Sequence, residues 1–208
     1  MTIHNILLKY WGFSNFRPLQ EDIIQSVLDG KDTLALMPTG GGKSLCFQIP
    51  ALYKPGICIV VSPLIALMKD QVENLKERGI KAMAIISGMG KREVDIALDN
   101  CIYGDFKFLY LSPERLLSDL VRERIRHMNV NLIAIDEAHC ISQWGYDFRP
   151  PYLHIPQLRE LHPNIPVLAL TASATERVAI DIQDKLNFKK AQVFRKSFER
   201  KNLSYLVY

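Results

Sequence analysis

The 208-residue chain is predicted to adopt an α/β fold, a mostly parallel sheet with helices on both faces. Three observations predict it. Short β-branched or apolar runs alternate with longer amphipathic stretches at the spacing of βαβ units. The runs are almost continuously hydrophobic, as central parallel strands that bury both faces must be. Glycines stand where the amphipathic stretches stop.

Taken in order, Ile23–Asp29 reads as helical and is closed by Gly30, and Thr33–Met37 is the first strand. Leu45–Leu52 is helical and Ile57–Val61 is a strand. Leu64–Arg78 carries apolar residues at three- and four-residue intervals and ends at Gly79. Ala82–Ile86 is a strand, Lys91–Cys101 a helix, and Lys107–Leu111, Asn131–Ile135 and Val167–Leu170 are further strands. Glu176–Leu186 is helical, and on their own the threonines before it, Thr171 and Thr175, read as helix caps. No repeat or linker interrupts the chain before about residue 190. Phe194–Arg200 then turns polar and charged, and Leu203–Tyr208 reads as the start of another strand. One domain is therefore expected over residues 1–193, with 194–208 beginning a connection to a further unit.

A composition 48% hydrophobic and 23% charged suits one packed core and excludes a disordered or collagen-like chain. The longest strongly apolar stretch, Ile57–Val61, is too short to span a bilayer, and the N-terminus lacks an apolar leader. A cytoplasmic protein with no membrane partner is the expectation. Cys46, Cys58, Cys101 and Cys140 are scattered without metal-ligand spacing, so buried reduced thiols are expected rather than zinc or disulfides. A net charge of +4 permits nucleic acid as a partner without requiring it.

Thr39-Gly40-Gly41-Gly42-Lys43-Ser44 follows a strand and opens a helix. Consecutive glycines let several backbone N–H groups converge on an anion, and the helix adds its positive end. Lys43 would reach the β- and γ-phosphates of ATP, and the Ser44 hydroxyl would bind Mg²⁺. The general phosphate-loop pattern wants glycine where this chain has Met37. A second strand, Leu132–Ile135, runs into Asp136-Glu137-Ala138-His139. In a parallel sheet its carboxyl end shares an edge with the glycine loop. Asp136 could hold Mg²⁺, and Glu137 could orient an attacking water and take its proton.

These two segments together resemble the motor of superfamily-two helicases, whose phosphate loop usually lacks the first glycine. Further segments narrow the resemblance to RecQ-type DNA helicases and to a RecA-like P-loop NTPase domain. They are Tyr10–Gln20, Met37–Ser44, Ser62–Gln71, Ser112–Leu116 and Leu170–Thr175. The most discriminating is Cys140–Pro150, similar to the aromatic-rich loop that follows the acidic motif in that family. It separates the chain from RNA helicases and other translocases, which would share the phosphate loop and the acidic motif.

The resemblance implies that Gln20 hydrogen-bonds the adenine edge while Phe13 and Arg17 pack on the base faces; on the residues alone, Phe13 and Phe16 read as core. It implies that Gln143, Trp144, Phe148 and Arg149 sense single-stranded DNA, and that Thr171 and Thr175 couple nucleotide state to domain movement. It also implies a second RecA-like domain carrying an arginine finger, single strands and duplex junctions of DNA as partners, and 3′-to-5′ translocation in repair and recombination. A monomer associated with the bacterial nucleoid is the accompanying expectation.

Overall fold

The structure, a computed structural model, describes residues 1–195. The expected strand start at Leu203–Tyr208, and most of the 194–208 connection, lie outside the described residues. Its strands are β1 (Thr33–Leu36), β2 (Ile57–Val61), β3 (Ala82–Ile85), β4 (Phe108–Leu111), β5 (Val130–Ile135), β6 (Val167–Thr171) and β7 (Gln192–Arg195). They form one sheet in the order β3-β4-β2-β5-β6-β1-β7, and every pair is parallel. The helices are α1 (Ile3–Trp11), α2 (Gln20–Leu28), α3 (Lys43–Tyr53), α4 (Ile65–Glu77), α5 (Lys91–Tyr103), α6 (Asp119–Arg126), α7 (Pro156–Leu161) and α8 (Glu176–Lys185).

Side chains alternate across a strand, and here both sides are apolar. Leu34, Leu36, Ile59, Val61, Ile133 and Ile135 face a core closed by α5, α6, α7 and α8. Their neighbours Ala35, Met37, Cys58, Val60, Leu132 and Ala134 face a second core closed by α2, α3 and α4. Helix α1 lies outside that layer, with Ile6 and Leu7 packed on Ile24 and Ile49. It stops at Gly12, whose φ of 72° suits a residue without Cβ. All four cysteines are buried and free, as buried reduced thiols require.

Two pairings continue past the strand ends and fix one rim. The Asp136 amide donates to the Val61 carbonyl (2.8 Å), and the Met37 amide to that of Thr171 (3.0 Å). The loops after β1, β2, β5 and β6 therefore leave from the same carboxyl edge.

The opposite edge is held by Asp32, at the start of β1. Its buried carboxylate accepts from the amides of Val167 (2.9 Å) and Lys189 and pairs with the equally buried guanidinium of Arg159. Three elements thus meet at one carboxylate. Asp32→Ala is expected to lower the unfolding free energy by about 3–5 kcal/mol, because it leaves a buried guanidinium unpaired. Chemical denaturation would show it; a loss within error would mean that Arg159 finds another partner.

Candidate nucleotide site and adjoining aromatic loop

The turn from β1 into α3 is built from both sides. Gly40 and Gly42 hold φ of 75° and 78°, and a Cβ on Gly42 would come within 2.3 Å of Gln20 Nε2. That approach has a purpose. Gln20 Nε2 donates to the Gly42 carbonyl (3.0 Å) and Arg17 Nη1 to the Gly40 carbonyl (2.7 Å), while Gln20 Oε1 accepts from the Arg17 amide (2.8 Å). A trans peptide points its C=O and N–H in opposite directions. Gln20 therefore turns the Lys43 N–H away from α2, into the open first turn of α3, where unsatisfied amides favour an anion.

Beside this loop Leu7, Phe13, Asn15, Arg17, Gln20, Gly42 and Leu45 line a recess of about 260 Å³. Phe13 is 52% exposed on its rim. The reading of Phe13 as core is corrected: α1 ends at Gly12 and the chain swings out before Phe13. Phe16 does pack inward, with its ring edge-on to His4 at 5.0 Å and against the α1 cluster. The structure thus brings Phe13, Arg17, Gln20 and Gly42 to one recess; Lys43 follows as the first residue of α3, and Thr39 is exposed.

The acidic corner lies across the rim. Asp136 is buried, and burial, reinforced by repulsion from Glu137, pushes its carboxyl up to about 6. The Glu137 amide (3.1 Å) and the Lys43 charge pull in the other direction. Glu137 is held below the usual carboxylate range by its hydrogen bond to His139 and by the Lys43 charge, against the effect of burial. The Lys43 charge lowers both carboxyls, so the loop and the strand end lie within electrostatic reach of each other. Glu137 sits at φ 47°, ψ 46°, a left-handed conformation that costs a non-glycine residue on the order of 1 kcal/mol. The Tyr152 hydroxyl helps to hold it there by donating to the Asp136 carbonyl (2.9 Å) from a buried position.

His139 ties this corner to the next strand. Its Nδ1 lies 3.3 Å from Glu137 Oε2 and 2.8 Å from Thr171 Oγ1, and its Nε2 lies 3.7 Å from the Cys140 thiol. The two ring nitrogens thus join Glu137, Thr171 and Cys140 through one side chain. Thr171 is buried at the end of β6, and its hydroxyl also meets the Ser173 amide and carbonyl, each at 3.3 Å. Thr175 is the N-cap of α8, accepting from the Val178 amide at 3.3 Å. The capping expectation holds for Thr175 and not for Thr171, which faces His139. His139 and Tyr152 carry roles that the motif pattern alone did not assign.

The segment 143–149 folds over the same corner. Tyr146 stacks on His139 at 4.8 Å, and the Cys140 thiol, pushed up to about 12 by burial, points at Asp147 Oδ2. Arg149 donates through Nε and Nη2 to Asp147 Oδ2 (3.2 and 3.1 Å) and so is paired. Gln143 and Trp144 are exposed, and Lys185 stands 5.8 Å from the Phe148 ring. Trp144, Tyr146, Ala172, Ala174, Thr175 and Val178 border a largely apolar cavity of about 450 Å³. The aromatic segment and the Thr171–Thr175 segment therefore form two walls of one opening. Among the described residues no helix is long and apolar enough to cross a membrane.

A family model described as DEAD/DEAH box helicase matches residues 17–182. A Bacillus subtilis (strain 168) protein named a probable ATP-dependent DNA helicase, RecS, is 45% identical over 99% of this chain and 41% of its own length. The ATP-dependent DNA helicase RecQ of Pasteurella multocida (strain Pm70) is 44% identical over 99% of this chain and 33% of its own length. The chain thus spans between a third and about two-fifths of these curated relatives. The crystal structure of the Pyrococcus furiosus Hef helicase domain superposes with a TM-score of 0.68 at 22% identity, covering 94% of this chain and 40% of that one, which shows the fold.

Asp136 links the site to stability. Its folded-state value, about 6, lies above the ordinary 3.8, so the native state favours the proton. The stability contributed by this carboxyl is fully present below about pH 4 and is lost as pH rises through about 6. Asp136→Asn, which mimics the neutral form, is expected to stabilise the nucleotide-free chain at pH 8 by on the order of 2 kcal/mol. Thermal melts should show the advantage vanish near pH 4; an equal effect at both values would show that the charge is not its cause.

Proposed function

The chain belongs to the DEAD/DEAH box helicase family, and from that premise we propose that it is the ATP-binding half of a RecQ-type DNA helicase motor. The observation that carries the reading is that the glycine turn after β1 and the Asp136–Glu137 pair after β5 leave the same carboxyl edge of one parallel sheet. A triphosphate with a divalent ion needs that arrangement: a cation and free amides on one side, carboxylates on the other. The similarity to relatives named as DNA helicases supports the choice of DNA.

Residues 1–193 form the motor domain in this reading, and 194–208 begin the connection to a second RecA-like domain. ATP lies with its base in the recess of Phe13, Arg17 and Gln20 and its phosphates over Thr39–Ser44. Lys43 binds the β- and γ-phosphates. The acidic corner fits Mg²⁺: Asp136 and Glu137 repel each other there, and burial with that repulsion leaves the Asp136 carboxyl raised. Ser44 and Asp136 would hold the ion, which when bound offsets phosphate charge. Glu137 orients the attacking water and receives its proton. His139 holds Glu137 and reaches Thr171, so that a change at the phosphates reaches the Thr171–Thr175 segment. Gln143, Trp144, Phe148 and Arg149 contact single-stranded DNA, by stacking and by charge.

The second domain supplies an arginine finger, worth several orders of magnitude in such enzymes. Closure and opening of the cleft then step the protein 3′ to 5′ and separate duplexes in repair and recombination. The whole protein acts as a monomer in the cytoplasm, at the nucleoid.

Lys43→Ala is expected to weaken Mg-nucleotide binding about tenfold or more in a direct titration, as loss of a charge-assisted contact implies; equal affinities would sink the nucleotide site. The 208-residue chain is expected to hydrolyse ATP very slowly and to unwind nothing, so strand separation by it alone would contradict the two-domain mechanism. In a version extended through the next domain, Trp144→Ala or Arg149→Ala should reduce ATPase stimulation by single-stranded DNA while nucleotide affinity stays the same. Stimulation that survives both changes would remove the sensor role from this segment.

A further inference from the structure

Arg177 lies in the first turn of α8, where the positive end of the helix dipole disfavours a cation. Among the described residues no carboxylate pairs with it. Its guanidinium carbon instead stands 3.3 Å from the centroid of the Trp144 ring, although Trp144 is 58% exposed. A planar cation at that distance is stacked on the indole. Two other groups of the loop have partners near by: Tyr146 stacks on His139, and Arg149 pairs with Asp147. α8 sets a cation over each of the other two rings, Lys185 at 5.8 Å from Phe148 and the exposed Arg177 much closer, on Trp144.

We propose that Arg177 is a displaceable cap on Trp144: it occupies the ring face that a base of single-stranded DNA takes, and the base must replace it. The inference rests on the reading of residues 143–149 as the DNA-contacting segment. The chemistry favours a nucleobase as the occupant, because indole faces stack bases without sequence preference and a guanidinium plane is a similar flat partner. The cavity of about 450 Å³ bordering the same indole leaves room beside it. In the absence of DNA the cap keeps Trp144 oriented, and it sets the threshold that a strand must exceed before the acidic corner is disturbed. Arg177 is thus a positioning residue, acting through Trp144.

The test uses the 208-residue chain and a labelled oligodeoxythymidylate read by anisotropy. Arg177→Ala should bind it about two- to five-fold more tightly, the fold-change expected from removing an exposed cation–π contact. Arg177→Lys, which keeps the charge but not the plane, should also tighten binding, and neither change should matter in a Trp144→Ala background. If Arg177→Ala weakens binding while Arg177→Lys restores it, Arg177 is a phosphate contact and the cap is wrong. If Trp144→Ala leaves affinity untouched, the DNA reading of the loop fails, and the cap with it. A second measurement needs no DNA. In a Trp11→Phe background, where Trp144 is the only remaining tryptophan, Arg177→Ala should raise acrylamide quenching of the emission. Unchanged quenching in a chain that melts normally would overturn the cap.

Discussion

Asp136 and Glu137 end the central strand of the sheet side by side, and their repulsion in a corner shielded from water governs what surrounds them. Burial alone raises Asp136, and Glu137 raises it further. The protein offers four partial remedies: the Glu137 backbone amide, the Ser62 side chain, the His139 ring and the Lys43 ammonium. They bring Glu137 below its usual range but leave Asp136 well above it. In the proposed function, this shortage of positive charge is what a divalent cation would relieve. The left-handed backbone at Glu137 and the Tyr152 brace hold the corner in that state.

The same corner is wired to its neighbours by short polar links, each crossing from one element to the next. Gln20 and Arg17 reach from before α3 to grip the glycine turn, and the same two side chains line the recess beside it. His139 spans from the end of β5 to the end of β6, and the aromatic segment lies on His139 through Tyr146. In the proposed function, coupling between nucleotide and DNA needs no long pathway, because His139 touches both Glu137 and Tyr146.

Much of this was legible before any coordinates. Six strands fall within one residue of the runs read from the sequence, because strands buried on both faces leave an unbroken apolar signature. The shared rim of Lys43 and Asp136 follows from parallel topology alone. The unread elements have physical reasons. β7 is a largely exposed edge strand, and α6 buries only Val121 and Ile125 within a charged octet, so neither shows an apolar pattern. Phe13 looked like core because an aromatic residue between helices usually is; only the stop at Gly12 turns it outward. Tyr152 on Asp136 and Arg177 on Trp144 join residues distant in the chain, and no local spacing encodes them.

The central claim is that the negative corner exists to share a metal ion with the phosphates above Lys43. The most direct measurement is the affinity for a non-hydrolysable ATP analogue, with and without Mg²⁺, in the wild type and in Asp136→Asn. The account predicts that Mg²⁺ tightens binding markedly in the wild type and little in the variant. An equal gain from Mg²⁺ in both proteins would contradict it.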